Sequence, residues 1–292
     1  MELKYRDIHL SKANLIRLDE VNQIIKSYQE QGYILTLRQL YYQLVSRDII
    51  PNNVKEYGKL STLLKEGRMA GIVDWDAIED RLRRPDKPAA WNNPEEIIDA
   101  CIKQYRCDRM NGQENYIEVW VEKDALSGVL KRVTEKYGIP IVVNRGYSSA
   151  TAMHDAHLRF REAGVGSDQD CIVIYVGDFD PSGQDMIRDI TERIAEFNGA
   201  YNFDIHPIAL TWNQIKQYNP PPNPAKITDP RAKEYIAKHG PTSWEVDALP
   251  PEVLNGILTT TIDSLISKET YHAVLRLEKD HIAKLTELKE QL

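Results

Sequence analysis

The chain has 292 residues, of which 42% are hydrophobic and 28% are charged, and its formal net charge is −7. This composition is typical of globular proteins and excludes a mostly disordered chain, and the length suffices for two domains. No run approaches eighteen consecutive apolar residues, and the first residues lack the apolar stretch of a signal peptide. We therefore expect a cytoplasmic protein that does not enter a membrane. The three cysteines form no zinc-binding pattern with the histidines, which favours reduced structural thiols.

The charge is distributed unevenly along the chain. Residues 1–110 hold 18 Lys and Arg against 17 Asp and Glu, so the negative excess lies in the rest of the chain. A near-neutral part with local basic clusters beside an acidic part is compatible with a DNA partner.

The first part of the chain is predicted to be helical. Apolar residues at helical spacing indicate three helices, over 12–31, 36–47 and 54–70. A short strand over 71–75 and a basic loop are expected to follow. This order resembles a winged-helix module, and a small helical domain with solvated basic faces fits the composition equally well.

Arginines in and after the third helix are candidates for contacts with a DNA backbone. They are Arg68, Arg81, Arg83 and Arg84. Phosphate contacts of this kind position a protein on DNA without reading its sequence. A solvated basic surface is the equally plausible alternative.

The second part of the chain alternates strands with helices. Strands are predicted over 116–121, 139–143, 171–176 and 203–210, and helices over 125–137, 149–163 and 182–197. Apolar strands that alternate with crossover helices predict a parallel, doubly wound α/β sheet.

Two proline-rich segments suggest how the chain is divided. The segment 86–93 is the best linker, so we place the boundary between an N-terminal domain, 1–90, and a second domain, 91–292. Prolines near 220–224 interrupt the second domain. A mostly helical tail follows, and it ends in an amphipathic helix over 266–292.

Acidic residues stand at the ends of two predicted strands. Glu122 ends the first strand, and Asp178 and Asp180 end the third. The carboxyl ends of parallel strands form the ligand-binding edge of such sheets, and side chains two apart in an extended segment point the same way. Because Mg²⁺ is usually held by one or two carboxylates together with water and substrate phosphate, these acids predict a magnesium site. As alternatives, Asp180 suits a helix N-cap, and Glu122 suits the positive end of a helix dipole.

The two acidic segments resemble the Toprim domain, the metal-binding module of topoisomerases, primases and some nucleases. They read Val121-Glu122-Lys123-Asp124-Ala125-Leu126 and Val176-Gly177-Asp178-Phe179-Asp180-Pro181-Ser182-Gly183. The pattern is most similar to the A subunit of topoisomerase VI, the related meiotic double-strand-break protein and compact Mini-A relatives. In that family the Glu acts as general acid/base or metal ligand, and the Asp-x-Asp pair holds magnesium. The resemblance implies these roles for Glu122, Asp178 and Asp180.

The same family carries a nucleophilic tyrosine in a winged-helix domain that precedes Toprim. Its motif, similar to Arg-x-x-Tyr-Tyr, matches Arg38-Gln39-Leu40-Tyr41-Tyr42. The helical period places Tyr41 on the apolar stripe and Tyr42 off it, one turn after Arg38. The catalytic tyrosine of the family corresponds to Tyr42, and Arg38 could clamp the phosphate. An exposed aromatic on an amphipathic helix is the alternative for Tyr42.

The resemblance implies a type IIB topoisomerase-like homodimer that cleaves and rejoins DNA through a 5′-phosphotyrosyl link. In that family the tyrosine of one protomer works with the metal of the other. No phosphate-binding loop of an ATPase is recognisable, so strand passage would need a separate ATPase subunit. A Toprim nuclease that hydrolyses DNA with metal-activated water, and a non-catalytic DNA-binding protein, remain as alternatives. The resemblance extends to 211–247, including Glu245 and Asp247, without assigning them a role.

Overall fold

The computed structural model describes residues 4–79, 88–144, 146–197 and 199–290. In these ranges the chain forms a parallel sheet with helices packed around it. The helices are α1 (Lys12–Glu30), α2 (Leu37–Ser46), α3 (Val54–Met69), α4 (Pro94–Gln104), α5 (Asp124–Tyr137), α6 (Ala150–Arg161), α7 (Pro181–Ala195), α8 (Trp212–Tyr218), α9 (Ala232–His239), α10 (Pro251–Leu265) and α11 (Lys268–Glu290). The strands are β1 (Asn115–Val121), β2 (Ile141–Val143), β3 (Asp170–Val176), β4 (Phe203–Ala209), β5 (Asn223–Pro224) and β6 (Thr242–Ser243).

Strands β1 to β4 form one parallel sheet in the order β2-β1-β3-β4. In this sheet Val121 of β1 lies opposite Val143 of β2 and Val176 of β3. The chain leaves β1 towards β2 on one side and later reaches β3 and β4 on the other side, so the order reverses between β1 and β3. The crevice at such a reversal is where open α/β sheets bind ligands. The predicted α/β class and parallel sheet are thus confirmed.

Both faces of the sheet are apolar and covered by helices. Ile117, Val119 and Val121 of β1 belong to a buried cluster shared with α5 and α10. Trp120 and Tyr175 point to the opposite face and join a cluster with α6 and α7. This period of two, with both faces buried, explains why the strands read as nearly continuous apolar runs.

One carboxylate is fully buried on the second face. Glu118 accepts hydrogen bonds from Arg159 Nε at 2.6 Å and Arg159 Nη2 at 3.0 Å. It also accepts from Tyr116 Oη at 2.9 Å and Trp120 Nε1 at 2.8 Å. Four donors satisfy the charge without water, so this ion pair fixes α6 on the sheet.

The first three helices pack around an apolar cluster of their own. Leu18, Leu40 and Leu64 are among its members, and Ala248 is the member from the tail. Thr36 begins α2 as predicted, through a capping box with Gln39.

The strand expected over 71–75 is wrong. Residues 71–73 form the turn that ends α3, with Gly71 at a φ of 71°, and a 3₁₀ turn covers Trp75–Ala77. The amides of Ile72 and Val73 donate to the carbonyl oxygen of Gly67, so they terminate the helix instead of joining a sheet. The ladder contact found in this region is a single parallel bridge between Leu35 and Ile78. Arg81, Arg83 and Arg84 lie outside the described residues.

The predicted C-terminal amphipathic helix is observed as α11. Arg109 holds it by donating from Nη2 to Glu278 Oε1 at 2.6 Å and from Nε to Glu278 Oε2 at 3.1 Å. The hydroxyl of Tyr271 donates to the carbonyl oxygen of Lys136 at 2.8 Å. The helix therefore packs on its own chain. Among the described helices, none has both the length and the apolar character that crossing a bilayer requires.

Replacement of Arg159 by Ala is expected to destabilise the protein because it leaves the Glu118 carboxylate buried without its cation. The Arg159 side chain is 38% exposed, so we expect a loss of about 2 to 3 kcal/mol, below the range for fully buried pairs. Urea unfolding followed by circular dichroism measures it. Arg161→Ala, at the exposed end of the same helix, is the control and should change stability by less than about 0.5 kcal/mol. Equal losses in the two variants would contradict the role of the ion pair.

Candidate functional site

Glu122 and Asp178 meet at the carboxyl ends of the neighbouring strands β1 and β3. The backbone N–H of Asp178 donates to Glu122 Oε2 at 3.0 Å, and the Asp178 side chain is buried. Gly177 precedes Asp178, and a Cβ at Gly177 would stand 2.9 Å from Glu122 Oε2. A glycine is therefore required for the Glu122 carboxylate to lie this close to the strand end.

The tail of the chain brings two further carboxylates to this edge. Phe179, between Asp178 and Asp180, pairs antiparallel with Trp244, and their N–H groups and carbonyl oxygens bond at 2.9 and 3.0 Å. The backbone N–H of Val246 then donates to Asp178 Oδ1 at 2.8 Å. This pairing places Glu245 and Asp247 beside Asp178.

We call Asp178, Glu245 and Asp247 the acidic triad. One oxygen from each carboxylate lies within 4.8 Å of the others, so the triad could hold a metal ion. Carboxylate oxygens are the ligands that hard divalent cations prefer. The hydroxyl of Tyr175 lies on the Glu122 side of this edge of the sheet. It is buried without a hydrogen-bond partner among the described residues, next to Gly177.

Two basic side chains compensate the charge of the acidic triad. Lys123 Nζ lies 2.7 Å from Asp178 Oδ1, 2.7 Å from Glu245 Oε2 and 3.0 Å from Asp247 Oδ1. Arg38 reaches the same group from α2, with Nε 2.5 Å from Asp247 Oδ2 and Nη2 against Glu245 Oε2. Because Asp247 is fully buried, these cations are needed to stabilise its charge.

Asp180 is the N-cap of α7, the alternative role that the sequence suggested for it. Its Oδ1 accepts a hydrogen bond from the N–H of Gly183 at 2.7 Å and one from Ser182 Oγ at 3.0 Å, as the N-cap of α7. It is not a member of the acidic triad, but its charge contributes to raising the pKa of Glu122. The metal-binding role of Asp180 stays a prediction.

The electrostatics of the strand ends disfavour full ionisation. Burial, followed by the charge of Asp178, raises the pKa of Glu122 to about 7. Burial also raises the pKa of Asp178, although Lys123 opposes this effect. A carboxyl group with a pKa near 7 can both accept and return a proton at neutral pH, which is what general acid–base catalysis needs.

Tyr42 lies at the other end of the Arg38 bridge. The Arg38 guanidinium carbon is 5.6 Å from the centre of the Tyr42 ring, and the two residues line a cavity of about 470 Å³. Other residues lining this cavity are Tyr41, Asn52, Tyr57, Asn223 and Glu245.

The prediction that Tyr42 lies off the apolar stripe of α2 did not foresee its burial. Tyr41 and Tyr42 are 4% and 5% exposed, respectively, and both belong to the N-terminal apolar cluster. Asn223 and residues 245–247 of the tail cover the face of α2 that a free helix would expose. Burial, with Asp247 as the next cause, raises the pKa of Tyr42 to about 12. The phenol is thus protonated at neutral pH.

Arg68 contacts residues that follow it closely in the sequence. Its Nη2 donates to the carbonyl oxygen of Ile78 at 3.1 Å, and its guanidinium carbon lies 5.7 Å from the centre of the Trp75 ring. It is half-buried, so only part of its side chain is available for a contact with DNA.

The residues that sequence reasoning left without a role are Glu245, Asp247, Lys123 and Tyr175. Glu245 and Asp247 lie in the segment 211–247 to which the resemblance extends, and they repeat the two-residue spacing of Asp178 and Asp180, a signal that could have assigned them a role. No protein-family model, curated protein or solved structure matches the chain. The chemistry of the site is therefore the guide to the function of the chain.

Replacement of Asp178 by Asn should remove divalent-cation binding because Asp178 is the triad member at the sheet edge. For the wild type, Mg²⁺ at a hundred times its dissociation constant should stabilise the fold by about 2.7 kcal/mol. Thermal unfolding with and without Mg²⁺ measures this shift, and Asp178→Asn should lose it. Asp204→Asn removes an acid that is 72% exposed on β4 and should respond to Mg²⁺ as the wild type does. A full Mg²⁺ response in Asp178→Asn would exclude the triad as the site.

Proposed function

We propose that the protein is a magnesium-dependent enzyme that cleaves and rejoins DNA by transesterification, with Tyr42 as the nucleophile. This is the activity of the topoisomerase VI A family, whose Toprim and tyrosine motifs the chain resembles. The observation that carries the proposal is the Arg38 bridge. Arg38 stands beside Tyr42 and binds Asp247, which is 209 residues away in the sequence, so the candidate nucleophile and the acidic edge form one site.

The acids at the sheet edge fit Mg²⁺ better than a soft metal. Asp178, Glu245 and Asp247 offer carboxylate oxygens alone, without a sulfur or imidazole ligand. Glu122 and Asp180 stand beside Asp178 and could complete the set. When bound, Mg²⁺ would neutralise charge that develops on the scissile or a neighbouring phosphate.

Tyr42 needs help to act as a nucleophile because its pKa is raised to about 12. In the proposed step the phenolic oxygen forms a bond to phosphorus and the bond from phosphorus to the 3′ oxygen breaks. The phenolic proton passes to a base, and the leaving 3′ oxygen takes up a proton. Glu122, with a pKa of about 7, is suited to this exchange. The products are a 5′-phosphotyrosyl link and a free 3′-hydroxyl, and rejoining is the reverse reaction.

Arg38 would position the phosphate next to Tyr42. Its side chain is 40% exposed although two of its nitrogens bind Asp247 and Glu245, so part of the guanidinium faces the cavity. A planar guanidinium that is held by carboxylates keeps a fixed orientation, which favours binding to phosphate oxygens.

A second candidate function is hydrolysis of DNA by a metal-activated water. The observation that favours it is the burial of Tyr42, because a phenol that is 5% exposed with a pKa of about 12 is a poor nucleophile until the cavity opens. In this case Glu122 would serve as the base for water, and Tyr42 would contribute only to DNA binding.

Replacement of Tyr42 by Phe should abolish a covalent protein–DNA adduct because it removes the attacking oxygen and keeps the ring. Supercoiled plasmid is incubated with the protein and Mg²⁺, denatured, and assayed for protein-linked DNA. Tyr41→Phe is the matched control, since Tyr41 lies on the same helix and donates to Asn52 Oδ1 instead. It should retain the adduct. Cleavage without an adduct, unchanged in Tyr42→Phe and lost in Asp178→Asn, would establish the hydrolytic alternative.

The family resemblance also leads us to propose a homodimer, and mixing inactive variants tests which protomer supplies each group. If Tyr42 acts on DNA held at the partner's acids, Tyr42→Phe mixed with Asp178→Asn should regain cleavage. If both groups act within one chain, as the Arg38 bridge favours, the mixture should stay inactive.

A further inference from the structure

Lys123 occupies the centre of the acidic triad. Its ammonium nitrogen contacts one oxygen of each carboxylate at 2.7 to 3.0 Å, and its side chain is only 16% exposed. Lys123 stands between β1 and α5, adjacent to Glu122. The three contacts use all three N–H donors of the ammonium group, so the triad is arranged around a bound cation.

The charge of the triad explains why a lysine is held there. When all three are ionised, the carboxylates carry three negative charges, and Lys123 and Arg38 supply two positive charges in contact with them. Attraction at these distances in a half-buried site is large, and each carboxylate would be costly to bury unpaired. Lys123 therefore stabilises the same arrangement that a divalent cation would need.

An ammonium group and Mg²⁺ cannot share this position. Mg²⁺ binds oxygens at about 2.0 to 2.1 Å, whereas the ammonium nitrogen holds one oxygen of each carboxylate at 2.7 to 3.0 Å. Around a metal ion at the position of the nitrogen, each oxygen must move inward by roughly 0.6 to 1 Å, which leaves no room for the ammonium group. The repulsion between the two cations at this distance also opposes joint binding.

We propose that Lys123 is the resident cation of the acidic triad and that a divalent metal ion binds there by displacing its ammonium group. This inference rests on the proposed function only in taking the triad as the metal site. The exchange is balanced in charge, because the net charge of the carboxylates, Arg38 and a dication is zero once Lys123 has left. The displaced ammonium group leaves the three carboxylates and is then free to bind a phosphate group.

The hydroxyl of Tyr175 is a second, independent sign that this edge takes a ligand. Tyr175 is 2% exposed, and its hydroxyl lacks a hydrogen-bond partner in the part of the chain that the structure describes. It is directed to Gly177, where Glu122 Oε2 also lies. A buried hydroxyl of this kind is normally satisfied, and a water molecule or phosphate oxygen that accompanies a metal would satisfy it.

Replacement of Lys123 by Met tests the exchange because the metal then has no ammonium to displace. Titration calorimetry with Mn²⁺ and with Mg²⁺ on the full chain should show binding about tenfold tighter or more than for the wild type, a gain of roughly 1.4 kcal/mol. Lys131→Met is the matched control, since Lys131 lies on α5, the helix that follows Lys123, with 59% of its side chain exposed. It should leave the affinity unchanged. Equal or weaker binding to Lys123→Met would overturn the proposal.

A measurement on the wild type keeps the proposal testable if Lys123→Met does not fold. Reductive methylation with peptide mapping reports the accessibility of each lysine amine. Lys123 should be protected in the presence of a chelator and become at least about fivefold more reactive when Mg²⁺ is added, because the displaced amine leaves its three carboxylates. Lys131 serves as the internal reference. Protection of Lys123 that persists with bound metal would overturn the proposal.

Neither experiment uses DNA or Tyr42, so the two proposals fail separately. If no covalent protein–DNA adduct forms and Lys123→Met binds metal more tightly, the proposed function is wrong and the displacement of Lys123 by metal stands. An adduct that requires Tyr42, with metal affinity that is independent of Lys123, would do the reverse.

Discussion

The ion network around Asp247 is the interaction on which the arrangement of the site depends. Asp247 is fully buried and holds Lys123 from the sheet on one side and Arg38 from the N-terminal helices on the other. A buried carboxylate is stable only with cations in contact, so the sheet edge, the tail and α2 are fixed relative to one another by this requirement. If one partner is removed, the remaining charges are no longer compensated, and the contacts between these parts of the chain are weakened.

This network gives the site two properties that oppose each other. It gathers Asp178, Glu245 and Asp247 closely enough to hold a metal ion, and it fills the space between them with an ammonium group. It also buries Tyr42 beside Arg38, with a pKa of about 12. Under the proposed function, the site would rest in a charge-compensated state, and entry of metal and DNA would redistribute the same charges. The cost of that change would reduce the apparent affinity for both ligands.

Local patterns accounted for much of the fold. The helical period of α1 to α3, the capping box at Thr36 and the alternation of strands and helices after β1 all reflect forces between residues near in sequence. The prediction of a strand over 71–75 was wrong because the apolar pattern there is typical of a strand, whereas the backbone amides of Ile72 and Val73 bond to the end of α3. The apolar pattern does not show whether these amides pair in a strand or terminate the helix, because that outcome depends on which backbone groups find hydrogen-bond partners.

The sequence by itself determined the parallel α/β sheet and the placement of Glu122 and Asp178 at the carboxyl ends of their strands, because the alternation of apolar strands with crossover helices is a chain-local pattern. The tertiary structure made these two strands, β1 and β3, neighbours in the sheet. Only the tertiary structure decided that Glu245 and Asp247 join Asp178 and that Lys123 lies between them. That result depends on a pairing of Phe179 with Trp244 across more than sixty residues, and no local propensity encodes a contact of that range.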